Sequence, residues 1–367
     1  MLELILGTVF LIYILFIGQL IYGCNRMKRF SKKEFTPKTS FTIVVPFRNE
    51  KENLPNLLHS ISLLNYPIEL VEIILVDDDS EEVFSVQDLV FSLKVIKNDR
   101  KSNSPKKDAI ETAIQVAKND WIITTDADCL IQKDWLTTFD QYIQENEVEM
   151  VASGVCYVPK SGFLSAFQNL DFLSLQGATI GSFGINQPFM CNGANFAYSK
   201  QFFKRLNGFQ GNETIASGDD VFLLQKAVSV APKKVGFLLA KESIVATKPV
   251  KTWNELFQQR VRWASKSTGY SSSYGKILAL AVFGGNLVWI LSFLLWLTNV
   301  LDQNIFMLFV ALKFLIDFIL LYKTANFFES KLKYVLASNL LYSFFSVSVA
   351  VYSLFGNYSW KGRNFRK

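Results

Sequence analysis

The sequence predicts an α/β domain with a mostly parallel sheet, flanked by transmembrane helices at both ends of the chain. Between residues 41 and 128, short β-branched runs alternate with helix-like stretches, which is typical of a parallel sheet covered by helices. Long uncharged runs lie at 4–24 and near the C-terminus. Half of the 367 residues are hydrophobic and only 19% are charged, so the composition disfavours a fully soluble or disordered chain.

The N-terminal segment, residues 1–24, is predicted to form a transmembrane helix. It has no charged residue after Glu3, and a basic linker, residues 25–40, follows it. A cleaved signal peptide carries its basic residues before the apolar core and not after it. Because basic segments stay in the cytosol, we expect the N-terminus outside the membrane and the following domain inside.

Three more apolar segments, at 277–300, 305–321 and 335–360, predict transmembrane helices over 276–360. Lys313 and Asp317 interrupt the second segment, but they are four residues apart and can pair on one helix face. Three full crossings would leave the basic tail, 361–367, outside, against the preference of basic residues for the cytosol. We therefore expect one segment not to cross. Either Gly284 and Gly285 break the first helix, or the last segment folds back as a re-entrant hairpin.

Two acidic clusters follow successive strands of the predicted sheet. Asp77, Asp78 and Asp79 come after one strand, and Asp126 and Asp128 after another. Ligands of open α/β sheets bind at the carboxyl ends of the strands. Clustered carboxylates repel each other, and no lysine or arginine follows either cluster directly, so we expect a cation there. A DxD pair suits Mg²⁺ or Mn²⁺ on a diphosphate, although acids at strand ends also form ordinary turns and caps.

Other nucleotide and metal folds fit poorly. The turn after the first strand, 46–50, contains no glycine, and no GxxxxGK[ST] motif occurs, which excludes the usual dinucleotide and P-loop sites. His59 is the single histidine, so mechanisms that need two histidines are excluded, and its apolar surroundings suggest a structural role. The four cysteines lack CxxC spacing, which fits a reducing compartment.

Two later segments add candidate site residues. Asp219 and Asp220 precede a helix-like run, where they serve either as helix caps or as part of a site. Residues 250–275 are predicted to form an amphipathic helix, which we expect to lie on the bilayer surface.

Taken in order, these segments resemble glycosyltransferase family 2, the inverting enzymes with a GT-A domain. VVPFRNE at 44–50 is similar to the family's first strand and PxxNE turn, and VDDDS at 76–80 to its VDDGS nucleotide site. DAD at 126–128 resembles its DxD, GDD at 218–220 its acidic pair, and QRVRW at 259–263 its QxxRW. The resemblance implies a GT-A domain over 41–249, followed by the interfacial helix with QxxRW over 250–275.

The resemblance also implies a role for each matching residue. The nucleotide sugar would be bound by Pro46, Glu50, Asp77, Asp78, Lys106 and Asp126, with Asp78 as the main nucleoside contact and Lys107 as a substitute for Lys106. The metal would be held by Asp126 and Asp128, of which Asp128 is the more direct ligand. The catalytic base would be Asp220, with Asp219 beside it. The acceptor and diphosphate would be contacted by Gln259, Arg262 and Trp263, and the acceptor-side loop would be 191–194.

These roles imply an inverting glycosyltransferase of an inner bacterial membrane with a cytoplasmic catalytic domain. It would use Mg²⁺ or Mn²⁺ and a nucleotide sugar, a UDP-sugar before others, and it would not bind nucleic acid. Because few helices are available for a polymer channel, we expect a membrane lipid or lipid-linked acceptor. The alternatives are a processive polysaccharide synthase of the cellulose, hyaluronan or poly-GlcNAc type, and a degenerate membrane-anchored nucleotide-binding scaffold.

Overall fold

The computed structural model describes the chain except residues 32, 83, 85–91, 214, 216, 356, 357, 361, 362, 366 and 367. The predicted basic tail therefore lies largely outside the described residues. The chain divides into two compact units. We call Lys28–Val158 with Met190–Lys248 the sheet unit, and Met1–Met27 with Pro159–Phe189 and Pro249–Lys367 the helical unit. The segment 41–249, predicted as one domain, is therefore divided between the two units, because 159–189 belongs to the helical unit.

The described residues contain eleven strands. The bounds are β1 Phe41–Phe47, β2 Val71–Asp77, β3 Ser92–Lys97, β4 Trp121–Thr124, β5 Met150–Ser153, β6 Val155–Tyr157, β7 Phe196–Ser199, β8 Val235–Leu238, β9 Val245–Thr247, β10 Tyr358–Trp360 and β11 Arg363–Phe365. They also contain eleven α-helices. The bounds are α1 Leu2–Arg26, α2 Leu54–Ser62, α3 Pro105–Val116, α4 Trp135–Asn146, α5 Phe163–Gly184, α6 Lys200–Arg205, α7 Asp219–Val230, α8 Trp253–Ser265, α9 Ser273–Leu297, α10 Gln303–Phe328 and α11 Val335–Phe355.

The sheet unit is built on a seven-stranded sheet in the order β3-β2-β1-β4-β7-β5-β8. All neighbours in it are parallel except β7, which runs antiparallel to β4 and β5. The strands β1 and β2 are apolar runs buried on both faces, as strands covered by helices are. This confirms the predicted α/β class and brings the carboxyl ends of β1, β2, β3 and β4 to one edge of the sheet. His59 lies exposed on α2.

Four helices of the helical unit, α1, α9, α10 and α11, are long and apolar enough to cross a membrane. The predicted pairing in α10 is confirmed, because Lys313 Nζ lies 2.7 Å from Asp317 Oδ2. The Asp317 carboxylate also accepts hydrogen bonds from Tyr13 of α1 and from Asn339 of α11. The Asp317 carboxylate therefore ties three helices together.

The predicted break at Gly284 and Gly285 is wrong, because α9 is continuous from Ser273 to Leu297. The glycines serve packing instead: a Cβ at Gly285 would collide with the ring of Tyr13. Small residues allow such close approach between membrane helices. In the last segment, residues Val335–Phe355 form one continuous helix, α11, and not a re-entrant hairpin. The end of this segment, β10, pairs antiparallel with β11.

The helix α8 packs against the C-terminal half of α11. The ring centroid of Phe257 in α8 lies 6.2 Å from that of Phe345 and 5.5 Å from that of Tyr352. Val261 and Val349 share one buried apolar cluster. The strand β10 also lies against α8. Leu256 and Val261 on the apolar side of α8 are therefore buried in protein, whereas Trp253 at its start is exposed.

Candidate active site

The turns that follow β1 and β2 are hydrogen-bonded to each other. The amide of Asn49 donates to Ser80 Oγ at 3.0 Å, and the amide of Glu81 donates to Asn49 Oδ1 at 2.9 Å. Asp77 Oδ1 accepts from both the amide and the hydroxyl of Ser80, at 3.0 and 2.6 Å. Asp77 therefore shapes its own turn, which is the ordinary role of an acid at a strand end.

Asp79 stands where the resembling family has a glycine or asparagine. Its φ of 64° is left-handed, a conformation that glycine adopts freely and that aspartate tolerates better than most residues. Of the two predicted residues near the first strand, Pro46 lies within β1 opposite Val76 of β2. Glu50 accepts a hydrogen bond from the side chain of Asn53 at the start of α2.

Asp78 is the most buried acid of the first cluster, and side chains from neighbouring loops surround it. Asn98 Nδ2 donates to Asp78 Oδ1 at 2.7 Å, and an Arg100 terminal nitrogen lies 3.3 Å from the same oxygen. Arg48 donates to the Asp78 carbonyl at 3.3 Å. Sequence reasoning missed these three partners. Their position in the sequence could have indicated them, because Arg48 directly follows β1, and Asn98 and Arg100 follow β3, at the same edge of the sheet as Asp78.

The loop that carries Arg100 is organised by a second buried acid, Asp108 of α3. The Asp108 carboxylate accepts from Arg100 Nε at 3.2 Å and from the amides of Lys101 and Ser102 at 3.1 and 3.0 Å. Arg100 thus bridges Asp108 and Asp78, and its guanidinium is held in one orientation by two carboxylates.

Lys106 joins the second acidic cluster to the acids of α7. Its Nζ lies 2.7 Å from Asp126 Oδ1 and 3.4 Å from Asp219 Oδ2. Burial alone would lower the pKa of Lys106, but the charges of Asp126 and Asp219 outweigh it and raise the pKa above its usual range. The cation expected beside these acids is therefore supplied, at least in part, by the chain itself.

Lys107 was predicted as a substitute for Lys106, and the structure contradicts this prediction. Its Nζ donates to the carbonyls of Asn212 and Ile215, at 2.6 and 2.9 Å, and lies 5.2 Å from the ring centre of Phe222. Consecutive helical residues point about 100° apart, so only one of two adjacent lysines can face the acids. Lys107 instead anchors the segment that leads into α7.

Asp220 meets the predicted acceptor-side loop. The amide of Gly193 donates to Asp220 Oδ2 at 2.9 Å, and the amide of Val221 donates to Asp220 Oδ1 at 2.7 Å. A Cβ at position 193 would come within 2.8 Å of Asp219 Oδ2 and 3.4 Å of Lys106 Nζ. A side chain at position 193 would therefore displace the Asp219 carboxylate from its place beside Lys106.

Asp126 and Asp128 are the predicted ligands of a divalent cation that would be shared with a diphosphate. Both follow β4, and Asp128 Oδ2 accepts from Thr247 Oγ1 of β9 at 3.2 Å. The described residues contain no group of three or more His, Cys, Asp or Glu placed to hold a metal. This is compatible with Mg²⁺-type binding, in which one or two carboxylates and the substrate phosphates, not a full protein cage, supply the ligands.

Buried polar atoms without a partner concentrate around these residues. In the described part of the sheet unit, six buried side-chain atoms make no hydrogen bond: Arg48 Nε, Asn98 Oδ1, Ser104 Oγ, Thr125 Oγ1, Tyr198 OH and Ser217 Oγ. Five of them belong to segments that leave β1, β3 or β4, or that enter α3 or α7. Since each unsatisfied group costs about 1–3 kcal/mol, this edge of the sheet is suited to a polar ligand.

The predicted residues Gln259, Arg262 and Trp263 belong to α8 of the helical unit. A neighbour in the motif, Arg260, links two of them: it hydrogen-bonds to Gln259, and its guanidinium lies 4.2 Å from the ring centre of Trp263. Arg260 is itself paired with Asp171 of α5, and both side chains are almost fully buried. The pair fixes the orientation of α8 on α5.

We expect Asp171→Asn to lower the free energy of unfolding by about 3–5 kcal/mol, because it leaves the Arg260 charge buried and unpaired. Thermal unfolding of the purified full chain measures this loss. The double variant Asp171→Leu with Arg260→Met removes both charges and should recover most of the stability. An unchanged melting temperature in Asp171→Asn would contradict the assigned pairing.

Comparison with known proteins agrees with this geometry. Residues 42–206 match the sequence model described as Glycosyl transferase family 2. The predicted resemblance to glycosyltransferase family 2 is therefore confirmed over these residues. A mannosyltransferase from Pyrobaculum calidifontis, solved with GDP-Man and Mn²⁺, superposes with a TM-score of 0.59 at 15% identity, covering 96% of this chain and 99% of that one. The sheet unit thus has the GT-A fold.

Curated relatives include poly-β-1,6-N-acetyl-D-glucosamine synthases. That of Staphylococcus epidermidis is 22% identical over 264 residues, which is 68% of this chain and 60% of the relative. That of Staphylococcus aureus strain COL is 24% identical over 171 residues, 45% of this chain and 40% of the relative. The matches thus span no more than 60% of the length of these relatives.

Proposed function

We propose that the protein is an inverting glycosyltransferase that moves a sugar from a nucleoside diphosphate to a membrane lipid or lipid-linked acceptor. The observation that carries this proposal is the cluster formed by Lys106, Asp126, Asp219, Asp220 and Gly193. It unites the predicted donor side and the predicted base at the carboxyl edge of a GT-A sheet. The family 2 domain supports the class of reaction, and the apolar helices support a membrane acceptor.

In the proposed donor site, Asp78 accepts hydrogen bonds from the nucleoside, and Arg100 and Asn98 hold its carboxylate in place. Lys106 lies next to Asp126, where it can offset charge that develops on the leaving diphosphate. A divalent cation, when bound by Asp126 and Asp128, would supply further stabilisation of that charge. The manganese in the solved mannosyltransferase supports this use of metal.

In the proposed transfer step, the acceptor hydroxyl oxygen attacks the anomeric carbon while the bond to the diphosphate oxygen breaks. The hydroxyl proton passes to the carboxylate of Asp220, and the configuration at the anomeric carbon inverts. Asp219 forms an ion pair with Lys106, which also pairs with Asp126. The Asp220 carboxylate is instead oriented by hydrogen bonds from two backbone amides. This difference favours Asp220 as the base.

A processive polysaccharide synthase is the second candidate, because the curated relatives synthesise a polymer by name. One experiment tests both: membranes with and without the protein are incubated with labelled UDP- and GDP-sugars, then separated into solvent-extractable lipid and insoluble polymer. The proposal expects label in the lipid fraction only when the protein is present. Label in long polymer would favour the second candidate, and no transfer from any donor would contradict both.

We also propose that α1, α9 and α10 cross the bilayer and that α11 does not. The helix α8 has 13 residues, too few to span, and it carries Glu255, Arg260 and Arg262. It nevertheless stays beside α11 as far as Tyr352. The part of α11 that contacts α8 therefore shares the membrane depth of α8, which we place at the cytosolic surface, and the basic tail stays in the cytosol.

A topology experiment checks this arrangement. Single cysteines are placed at Gln303 and after Lys367, in a chain whose four native cysteines are replaced by serine. We expect a membrane-impermeant maleimide to label position 303 in intact cells and the C-terminal cysteine only after permeabilisation. Labelling of both positions in intact cells would contradict the proposed number of crossings.

A further inference from the structure

Three aromatic rings from three elements meet on the surface of the helical unit. The ring centroid of Phe163 at the start of α5 lies 6.0 Å from that of Trp253 and 5.7 Å from that of Tyr334. Trp253 begins α8, and Tyr334 directly precedes α11. The three rings therefore connect three elements. Two of them also face outward, because Trp253 is 40% exposed and Tyr334 is 56% exposed.

Four exposed lysines accompany these rings. Lys160 is three residues from Phe163, Lys251 two from Trp253, and Lys331 and Lys333 lie within three of Tyr334. Among the described residues, none of these four ammonium groups has an ion-pair partner. We call the three rings and four lysines the basic aromatic surface.

Acidic residues do not neutralise this surface. Glu255 lies in the first turn of α8, but its carboxylate accepts from the backbone amides of Lys251 and Thr252, at 2.8 and 3.3 Å. Glu329 follows α10 in the same connection as Lys331 and Lys333. Four lysines against two carboxylates leave a net positive charge.

The position of the surface identifies its partner. Lys331, Lys333 and Tyr334 lie in the short connection between α10 and α11, two helices long and apolar enough to enter a bilayer. A connection between such helices lies at the boundary of the bilayer, where tryptophan and tyrosine are enriched. Clustered lysines next to membrane helices attract anionic headgroups. The partner at that depth is therefore the lipid surface.

We propose that the basic aromatic surface binds the headgroups of anionic phospholipids in the cytosolic leaflet. The lysines supply charge, and Trp253 and Tyr334 sit at headgroup depth with their polar edges in water. Because Trp253 begins α8, bound lipid would also hold the start of the helix that carries Arg260 and Trp263. This inference rests on charge and on the membrane helices, and it does not depend on the sugar chemistry proposed above.

The test uses the purified full chain in nanodiscs of phosphatidylcholine mixed with phosphatidylglycerol. Native mass spectrometry then gives the ratio of the two lipids retained by the protein. We expect phosphatidylglycerol to be enriched over its share in the nanodisc, and the enrichment to vanish when Lys160, Lys251, Lys331 and Lys333 are all changed to glutamine. Each lysine should account for roughly a fivefold change in relative affinity.

The matched control changes four exposed lysines of the sheet unit to glutamine, Lys118, Lys133, Lys204 and Lys233, and so alters the net charge equally. This control should keep the enrichment, and excess inorganic phosphate should not remove it. Two results would overturn the inference: no enrichment in the unaltered protein, or equal loss in both quadruple variants. Circular dichroism of each variant in the same nanodiscs verifies that the helices remain folded.

Discussion

Changing Asp220 to asparagine should abolish sugar transfer and leave binding of the nucleotide sugar intact. Asparagine keeps the size of the side chain and can still accept from the Gly193 amide through its oxygen, so the acceptor-side loop should stay in place. It cannot take up the acceptor proton. Loss of a general base lowers a rate by roughly 10²–10⁴-fold, and we expect a fall in kcat of that size.

The measurement is turnover of a labelled nucleotide sugar by the reconstituted full chain, together with the Kd of the donor from calorimetry. Asp302→Asn is the matched control, because it removes the same charge from the start of a different helix, α10. The control should transfer sugar at the unaltered rate. Undiminished turnover in Asp220→Asn would show that another group accepts the proton.

Changing Asp128 to asparagine should remove the effect of metal on donor binding. If Asp128 is a direct ligand, the Mn²⁺-dependent gain in affinity for a nucleoside diphosphate should fall at least about 100-fold, because the loss of a residue that merely supports a ligand costs about 10–100-fold. Calorimetry with and without Mn²⁺ measures this gain. Thr247→Val removes the hydrogen bond to Asp128. Its Mn²⁺-dependent gain in affinity should lie between that of the unaltered protein and that of Asp128→Asn.

Asp120→Asn serves as the control for this series. Asp120 precedes β4, directly before its first residue, and is exposed, so it lies at the opposite end of the strand from Asp126 and Asp128. Its substitution should leave the effect of Mn²⁺ unchanged. Equal gains from Mn²⁺ in Asp128→Asn and in the unaltered protein would remove Asp128 from the proposed metal site.

The strands and the acids at their ends were predictable from sequence because both follow local rules. Apolar runs alternating with helical stretches leave few topologies open, and parallel strands bring their carboxyl ends to one edge. Asp78, Asp126 and Lys106 could therefore be expected near one another. The role of each acid could not be predicted, because Asp77 and Asp78 are adjacent in the sequence. Only the structure shows that Asp77 shapes a turn.

What the sequence did not reveal depends on irregular loops and on packing between helices. Arg48 and Arg100 reach Asp78 from loops whose course has no periodic signal. A break at Gly285 was one of two alternatives that the sequence left open, whereas this glycine makes room for Tyr13 from a helix more than 250 residues earlier in the chain. Lys107 was interpreted as a substitute for Lys106, since sequence alone cannot tell which of two adjacent helical residues faces the acids.

The account depends on one donor site shared by Asp78, Lys106, Asp126 and Asp128 at the carboxyl edge of the sheet. A cryo-EM map of the full chain in nanodiscs with a nucleoside diphosphate and Mn²⁺ tests it most directly. We expect the nucleoside beside Asp78 and the diphosphate between Lys106 and the carboxylates that follow β4. Nucleotide density at any other place on the protein, with these side chains unchanged, would contradict the account.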